Sequence, residues 1–188
     1  MSKIKIGVFV GSLRRASFSR SIAKAAAALA PAELEMSFVE IGGLPMFNQD
    51  FDDDGTTPEA WVRFRKEVAG LDGFLFVTPE YNRSMPAVLK NALDIASRPY
   101  GKNLWDGKPG GIISVSPGGL GGFGANHQLR QPLTFLNVPL LQQPEAYIGN
   151  VADLLDEKGG LKNESTRSFL KKYMEAFARW VGVVSGSR

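Results

Sequence analysis

Five short apolar runs, residues 4–10, 36–41, 73–78, 111–116 and a weaker 138–148, alternate with stretches of helical spacing, and this alternation leaves few architectures open. Strands separated by helices need right-handed crossovers, which make the sheet parallel and cover both of its faces. The runs are continuously apolar, as strands buried on both sides must be. The helical stretches are Ser19 to Ala30, Pro58 to Ala69, Pro86 to Ser97, Gly122 to Leu136 and Glu164 to about Val183. Two of them open on proline, whose missing N–H costs nothing in a first turn. In the last, Phe169, Tyr173, Phe177 and Trp180 recur at spacings of three and four, one apolar face for docking on a sheet. Phe123, Leu129, Leu133 and Leu136 form another stripe, read as core or subunit interface. The prediction is an α/β protein: a three-layer α/β/α sandwich around a five-stranded parallel sheet.

With 188 residues, 44% of them hydrophobic, the chain buries one substantial core and is read as a single domain over residues 1–188. Its 22 basic residues against 19 acidic ones are scattered, which argues against a nucleic-acid partner and for small anions instead. The absence of cysteine excludes a disulfide framework, a thiolate nucleophile, a zinc-thiolate site and an iron–sulfur cluster. Redox chemistry must therefore use a bound cofactor. No run of about 18 apolar residues and no signal-peptide pattern occurs, so the expectation is a cytoplasmic protein with no membrane partner.

In a doubly wound sheet, ligands sit beyond the carboxyl ends of the strands, at the switch in strand order. The segments to inspect are then 11–20, 79–86 and 116–124. The first reads Gly-Ser-Leu-Arg-Arg-Ala-Ser-Phe-Ser-Arg and leads into an alanine-rich helix. The N–H groups and macrodipole of that first turn favour an anion; Ser12, Ser17 and Ser19 add hydroxyl donors, and Arg14 adds a bidentate clamp suited to a phosphate monoester. The competing reading has the serines capping the helix and the arginines solvated. In the second segment, Pro79 and Pro86 bracket Glu80-Tyr81-Asn82-Arg83-Ser84-Met85. The prolines limit loop entropy, Tyr81 offers a flat surface to a planar ring, and main-chain N–H groups can address a heteroaromatic ligand. An ordinary strand-to-helix connection is the alternative.

Other motifs are set aside. Asp50, Asp52, Asp54 and Gly55 match half of an EF-hand loop, but the twelfth position, which needs a bidentate glutamate, is Trp61, so a solvated acidic loop is expected. Neither a nucleoside-triphosphate P-loop nor a Gly-x-Gly-x-x-Gly fingerprint is present. The single histidine, His127, is read as surface or interface, and no metal site is predicted.

The two loops together resemble the NADPH-dependent FMN reductase family, the flavodoxin-like quinone and chromate reductases. The resemblance runs through Gly11-Ser12-Leu13-Arg14, Ser17-Phe18-Ser19, Pro79-Glu80-Tyr81-Asn82, Leu89-Lys90-Asn91-Ala92-Leu93-Asp94, Gly107-Lys108-Pro109 and Leu129-Arg130-Gln131. It implies a flavodoxin-like fold, with Ser12, Arg14, Ser17 and Ser19 on the FMN phosphate. Pro79, Glu80, Tyr81, Asn82 and Arg83 would form the isoalloxazine loop, flanked by Ser116 and Gly118. Ser19 stands where many members carry asparagine, and Arg83 where aromatic residues are common. The implied activity passes hydride from NADPH or NADH to FMN and on to quinones, chromate or other small oxidants, with no obligatory protein acid or base. A shared flavin face implies ping-pong kinetics, and Arg15 and Arg83 are candidates to attract anionic substrates. The resemblance also suggests a homodimer or homotetramer, with Arg130 and Glu145 as interface candidates. The alternative is a non-enzymatic flavodoxin-like electron carrier.

Overall fold

Parallel pairing dictates the architecture. The computed structural model describes residues 3–186; Met1, Ser2, Ser187 and Arg188, the ends of the expected single domain, lie outside the described residues. The elements run β1 (Ile4–Val10), α1 (Phe18–Ala28), β2 (Leu34–Val39), α2 (Asp50–Asp53), α3 (Glu59–Ala69) and β3 (Gly73–Pro79). They continue with α4 (Ala87–Ala96), β4 (Gly110–Val115), α5 (Phe123–Phe135), β5 (Ala146–Ile148), α6 (Val151–Leu154) and α7 (Glu164–Gly186). The five strands form one sheet in the order β2-β1-β3-β4-β5, parallel at every pairing. The order reverses between β1 and β3, so the chain winds to both faces and leaves a crevice at their carboxyl ends.

Each face has its own core. Ile6, Val8, Val10, Leu75, Val77, Ile113 and Val115 pack toward α1 and α7, meeting Ile22, Tyr173 and Phe177. The intervening residues Phe9, Phe74, Phe76 and Ile112 pack toward α3, α4 and α5, meeting Trp61, Leu93, Trp105 and Leu129. On this side Phe9, Phe74 and Trp105 lie edge to face with centroids 4.8–6.0 Å apart, and the Trp105 indole N–H donates to the Leu93 carbonyl at 3.0 Å. Fully burying one such side chain contributes roughly 1.5–3 kcal/mol, which is why period-two alternation is hidden: both sets are apolar.

The structure departs from the sequence reading where prolines and polar pairs intervene. The second strand begins at Leu34 rather than 36 and ends at Val39. The fifth is only Ala146–Ile148, not 138–148, because Pro139 and Pro144 cannot donate to a ladder. Leu140 makes an isolated bridge to Gly110, and Trp180 donates its indole N–H to the Pro139 carbonyl. The expected solvated acidic loop is coiled into the short helix α2; Asp50, Asp53, Asp54 and Gly55 are exposed as expected, and only Asp52 departs from that reading. Asp52 accepts from both guanidinium nitrogens of Arg65 at 2.7 and 2.6 Å, with side-chain exposures of 6% and 14%. In the predicted α5 stripe Leu129, Leu133 and Leu136 are buried, but Phe123 is 52% exposed, because the first helical residue lies off the core-facing side.

Several residues that carry the resemblance hold the frame. Asn91 accepts from the Phe47 N–H at 2.7 Å and donates to the Leu44 and Pro45 carbonyls, pinning the 44–47 segment to α4. The Lys108 ammonium donates to the Val68 and Ala69 carbonyls at the carboxyl end of α3, where a cation suits the helix dipole.

Candidate functional site

Three loops leave adjacent strands at the carboxyl edge of the sheet. Val10 pairs with Val77, and Pro79 with Val115. The Gly11 N–H donates to the Val77 carbonyl at 2.9 Å, and a Cβ on Gly11 would lie 2.6 Å from Leu89 and 3.2 Å from Pro79. Segments 11–19, 79–86 and 116–122 are thereby neighbours, as the doubly wound topology requires.

The first loop ends in an N-cap. The Ser17 side chain accepts from the Arg20 N–H at 3.1 Å at the start of α1, so part of the capping reading holds for Ser17. Ser12 and Ser19 differ. Their exposures are 4% and 2%, yet neither hydroxyl has a hydrogen-bond partner among the described residues. Among the described residues no fully buried side-chain polar atom is left without a partner, so both hydroxyls keep an opening. Water reaches each hydroxyl through that opening, and an anion accepting from it would take the water's place in a charge-assisted hydrogen bond. Arg14 is exposed, with its guanidinium 5.8 Å from the centroid of Phe18. Arg15 lines a cavity of about 330 Å³ with Arg20, Lys24, Asp156 and Lys158.

The second loop is a tight hairpin. Tyr81 and Ser84 exchange two backbone hydrogen bonds of 3.0 and 2.9 Å, and Asn82 and Arg83 between them have φ of 52° and 65°. Two successive left-handed residues define a type I′ turn; for a non-glycine side chain this costs on the order of 1 kcal/mol per residue, less for asparagine. Tyr81, Asn82 and Arg83 are exposed at its tip, and Pro79 is half-buried at its base.

Glu80 does not point into open space. One carboxylate oxygen accepts from the Ala125 N–H at 3.0 Å, in the first turn of α5, and the other lies 3.3 Å from Arg83 Nη1. A carboxylate at a helix N-terminus is favoured by the dipole. One turn on, the Gln128 side-chain oxygen accepts from the Met85 N–H at 2.8 Å and from the Ser84 hydroxyl. Gly124 permits the close approach: a Cβ there would stand 2.9 Å from Glu80 Oε2 and 3.1 Å from the Arg83 carbonyl oxygen. Sequence reasoning missed Gln128, since a glutamine on a polar helix face carries no signal; the Asn82-Arg83 turn was obscured because neither residue is glycine.

In the third loop the Ser116 hydroxyl accepts from the Gly118 N–H at 3.1 Å, and the Ser116 N–H donates to Ile148 at 2.9 Å. Gly121 and Gly122, at φ 60° and 76°, carry the chain into α5; a Cβ on Gly121 would meet the Tyr147 backbone at 2.7 Å. Gly118 is exposed at the tip and Ser116 half-buried below it.

Beyond this loop, His127 lies against Phe123 with centroids 4.3 Å apart and the rings tilted by 38°, and its Nε2 lies 2.8 Å from the Tyr147 hydroxyl and 3.7 Å from Glu145. Burial, then Glu145, pushes the Tyr147 hydroxyl up to about 12. Arg130 donates to Asn126, which in turn donates to the Ser114 hydroxyl. No group of three or more His, Cys, Asp or Glu suited to a metal occurs among the described residues, and no described helix is long and apolar enough to cross a membrane.

This arrangement can hold an anion on the first loop and a planar ring between the second and third. Residues 4–153 match the family model described as NADPH-dependent FMN reductase. A quinone reductase of Pseudomonas putida is 53% identical over 182 residues, covering 96% of this chain and 97% of that one. A 2-hydroxy-1,4-benzoquinone reductase of Burkholderia sp is 49% identical over 178 residues, covering 95% and 96%. The structure of FerB, a flavoenzyme NAD(P)H:(acceptor) oxidoreductase from Paracoccus denitrificans, superposes with a TM-score of 0.88 at 38% identity, covering 95% of this chain and 97% of that one.

Proposed function

The chain belongs to the NADPH-dependent FMN reductase family, and from that premise we propose that it oxidises NAD(P)H and reduces quinones at the three-loop edge, with chromate and other small oxidants as further acceptors. FMN, when bound, supplies the hydride chemistry that no side chain here offers. The observation that carries the reading is the pair of Ser12 and Ser19 hydroxyls, without a protein partner among the described residues and open to a ligand, at the Ser17-capped start of α1. With Arg14 they would hold the phosphate. The backbone of Pro79 to Arg83, the Tyr81 ring, Ser116 and Gly118 would bound the ring, with the Asn82 and Arg83 N–H groups of the turn opposing charge that builds on its pyrimidine side. One face stays open to reductant and oxidant in turn. Arg15 and Arg83 would raise the local concentration of anionic substrates.

The same reading takes residues 1–188 as one cytoplasmic domain, where NAD(P)H is supplied, assembled as a homodimer or homotetramer with the Arg130 and Glu145 region near its interface. Light scattering at micromolar concentration tests the assembly, a monomer refuting it. Steady-state kinetics test the activity: NADPH oxidation should require both FMN and 1,4-benzoquinone and give parallel double-reciprocal lines. Intersecting lines would refute the shared open face, and absence of FMN-dependent turnover would refute the function.

A further inference from the structure

The Tyr81–Ser84 turn is held from outside itself. Left-handed non-glycine residues such as Asn82 and Arg83 persist only where the surroundings over-determine them. The two backbone bonds at the base of the turn do not select this form, because turns of other handedness close in the same way. The selecting contacts come from one face of α5. Gln128 gives its side-chain oxygen to both the Met85 N–H and the Ser84 hydroxyl, and Ala125, three residues earlier, gives its N–H to Glu80. α5 in turn begins directly after Gly121 and Gly122 of the third loop. One rigid element therefore fixes both walls of the crevice, and Gln128 is its tie to the hairpin.

We propose that Gln128 is a positioning residue of the flavin site: its side-chain oxygen locks the Tyr81–Ser84 turn in the left-handed form that presents the Asn82 and Arg83 backbone to the ring. The inference rests on the FMN reading above. It assigns Gln128 no contact with the cofactor, so loss of the tie acts through the direction of the turn alone.

Gln128 is exposed, so substitutions there leave the core intact. Gln128→Leu keeps helix propensity but removes the acceptor, whereas Gln128→Glu retains both the length and an oxygen acceptor. FMN titration of the apo-protein, followed by quenching of flavin fluorescence, should show Gln128→Leu weakening binding about tenfold or more, since the lost oxygen accepts two hydrogen bonds, with altered circular dichroism in the flavin bands. Gln128→Glu should restore both. Adding Arg83→Gly to Gln128→Leu should also recover affinity, because Asn-Gly adopts a type I′ turn unaided; a merely structural role of Gln128 would not respond to glycine in the turn. An unchanged FMN affinity in Gln128→Leu, or a loss recovered by neither companion change, overturns the proposal. If the wild-type protein binds no FMN, the functional reading fails and the proposal with it; if it binds and Gln128→Leu binds equally, only the proposal fails.

Discussion

Replacing Asp52 with asparagine should lower stability without touching the flavin site. Asp52 and Arg65 form a two-pronged pair at 2.7 and 2.6 Å that joins α2 to α3, and Arg65 also donates from Nε to the Ile95 carbonyl at 2.9 Å, reaching α4. The Thr57 hydroxyl adds a third bond to the carboxylate at 2.9 Å. An amide accepts at one oxygen only and turns its NH2 toward the guanidinium. Removing one partner of a fully buried pair costs about 3–5 kcal/mol. Arg65 is partly exposed and keeps Ile95 and the Trp61 ring, 5.3 Å from its guanidinium carbon, so about 2–3 kcal/mol is the better figure. At roughly 2–4 °C per kcal/mol for a chain of this size, Tm should fall by about 4–12 °C. The side-chain bonds from Arg65 hold the Asp52 carboxyl below its ordinary value despite the opposing effect of burial. Its contribution is therefore present above the unfolded carboxylate pKa and lost as pH falls through the lower folded value, so the two proteins should converge in acid. Thermal unfolding by circular dichroism at pH 7 and in acid reads both effects. Equal Tm values at pH 7 would refute the enclosed pair and return residues 50–55 to a solvated loop.

Gly124→Ala should raise the FMN dissociation constant in calorimetric titration while moving Tm little, because overpacking of about 1–3 kcal/mol against Glu80 is partly offset by up to about 1 kcal/mol of helix propensity; unchanged affinity would contradict the tight contact. Ser12→Ala combined with Ser19→Ala should weaken FMN about tenfold or more and leave riboflavin binding unaffected, since only FMN carries the phosphate. A parallel loss of riboflavin would place the serines elsewhere. Tyr147, pushed up to about 12 by burial and Glu145, holds its proton more tightly folded than unfolded. Its contribution is complete below the unfolded tyrosine value and lost as pH rises through about 12, so Tyr147→Phe should flatten the alkaline decline in stability. An identical decline in both proteins would refute it.

The parallel sandwich was legible because crossovers leave apolar runs no other partner than a sheet buried on both faces. The start of β5 was not, since Pro139 and Pro144 remove ladder donors from a run that is apolar for another reason: Leu140 and Leu141 are buried without being paired as a strand. At the candidate site, glycine, serine and proline after strands one and three marked the loops. What the side chains do inside them depends on tertiary approach. Glu80 reads as a ring contact in sequence and is bonded to α5 in the fold; Gln128 has no local pattern and acts through a helix that starts 37 residues after Pro86, at Phe123. Asp52 likewise looked solvated because its partner, Arg65, lies on a different helix.

The most direct test of the account is the visible spectrum of the FMN-reconstituted protein under anaerobic conditions, before and after NADPH and then a quinone. Flavin absorbance should bleach on NADPH and return with the quinone. A bound flavin that stays oxidised would contradict the reductase and favour an electron carrier, and absence of flavin binding would overturn the three-loop site itself.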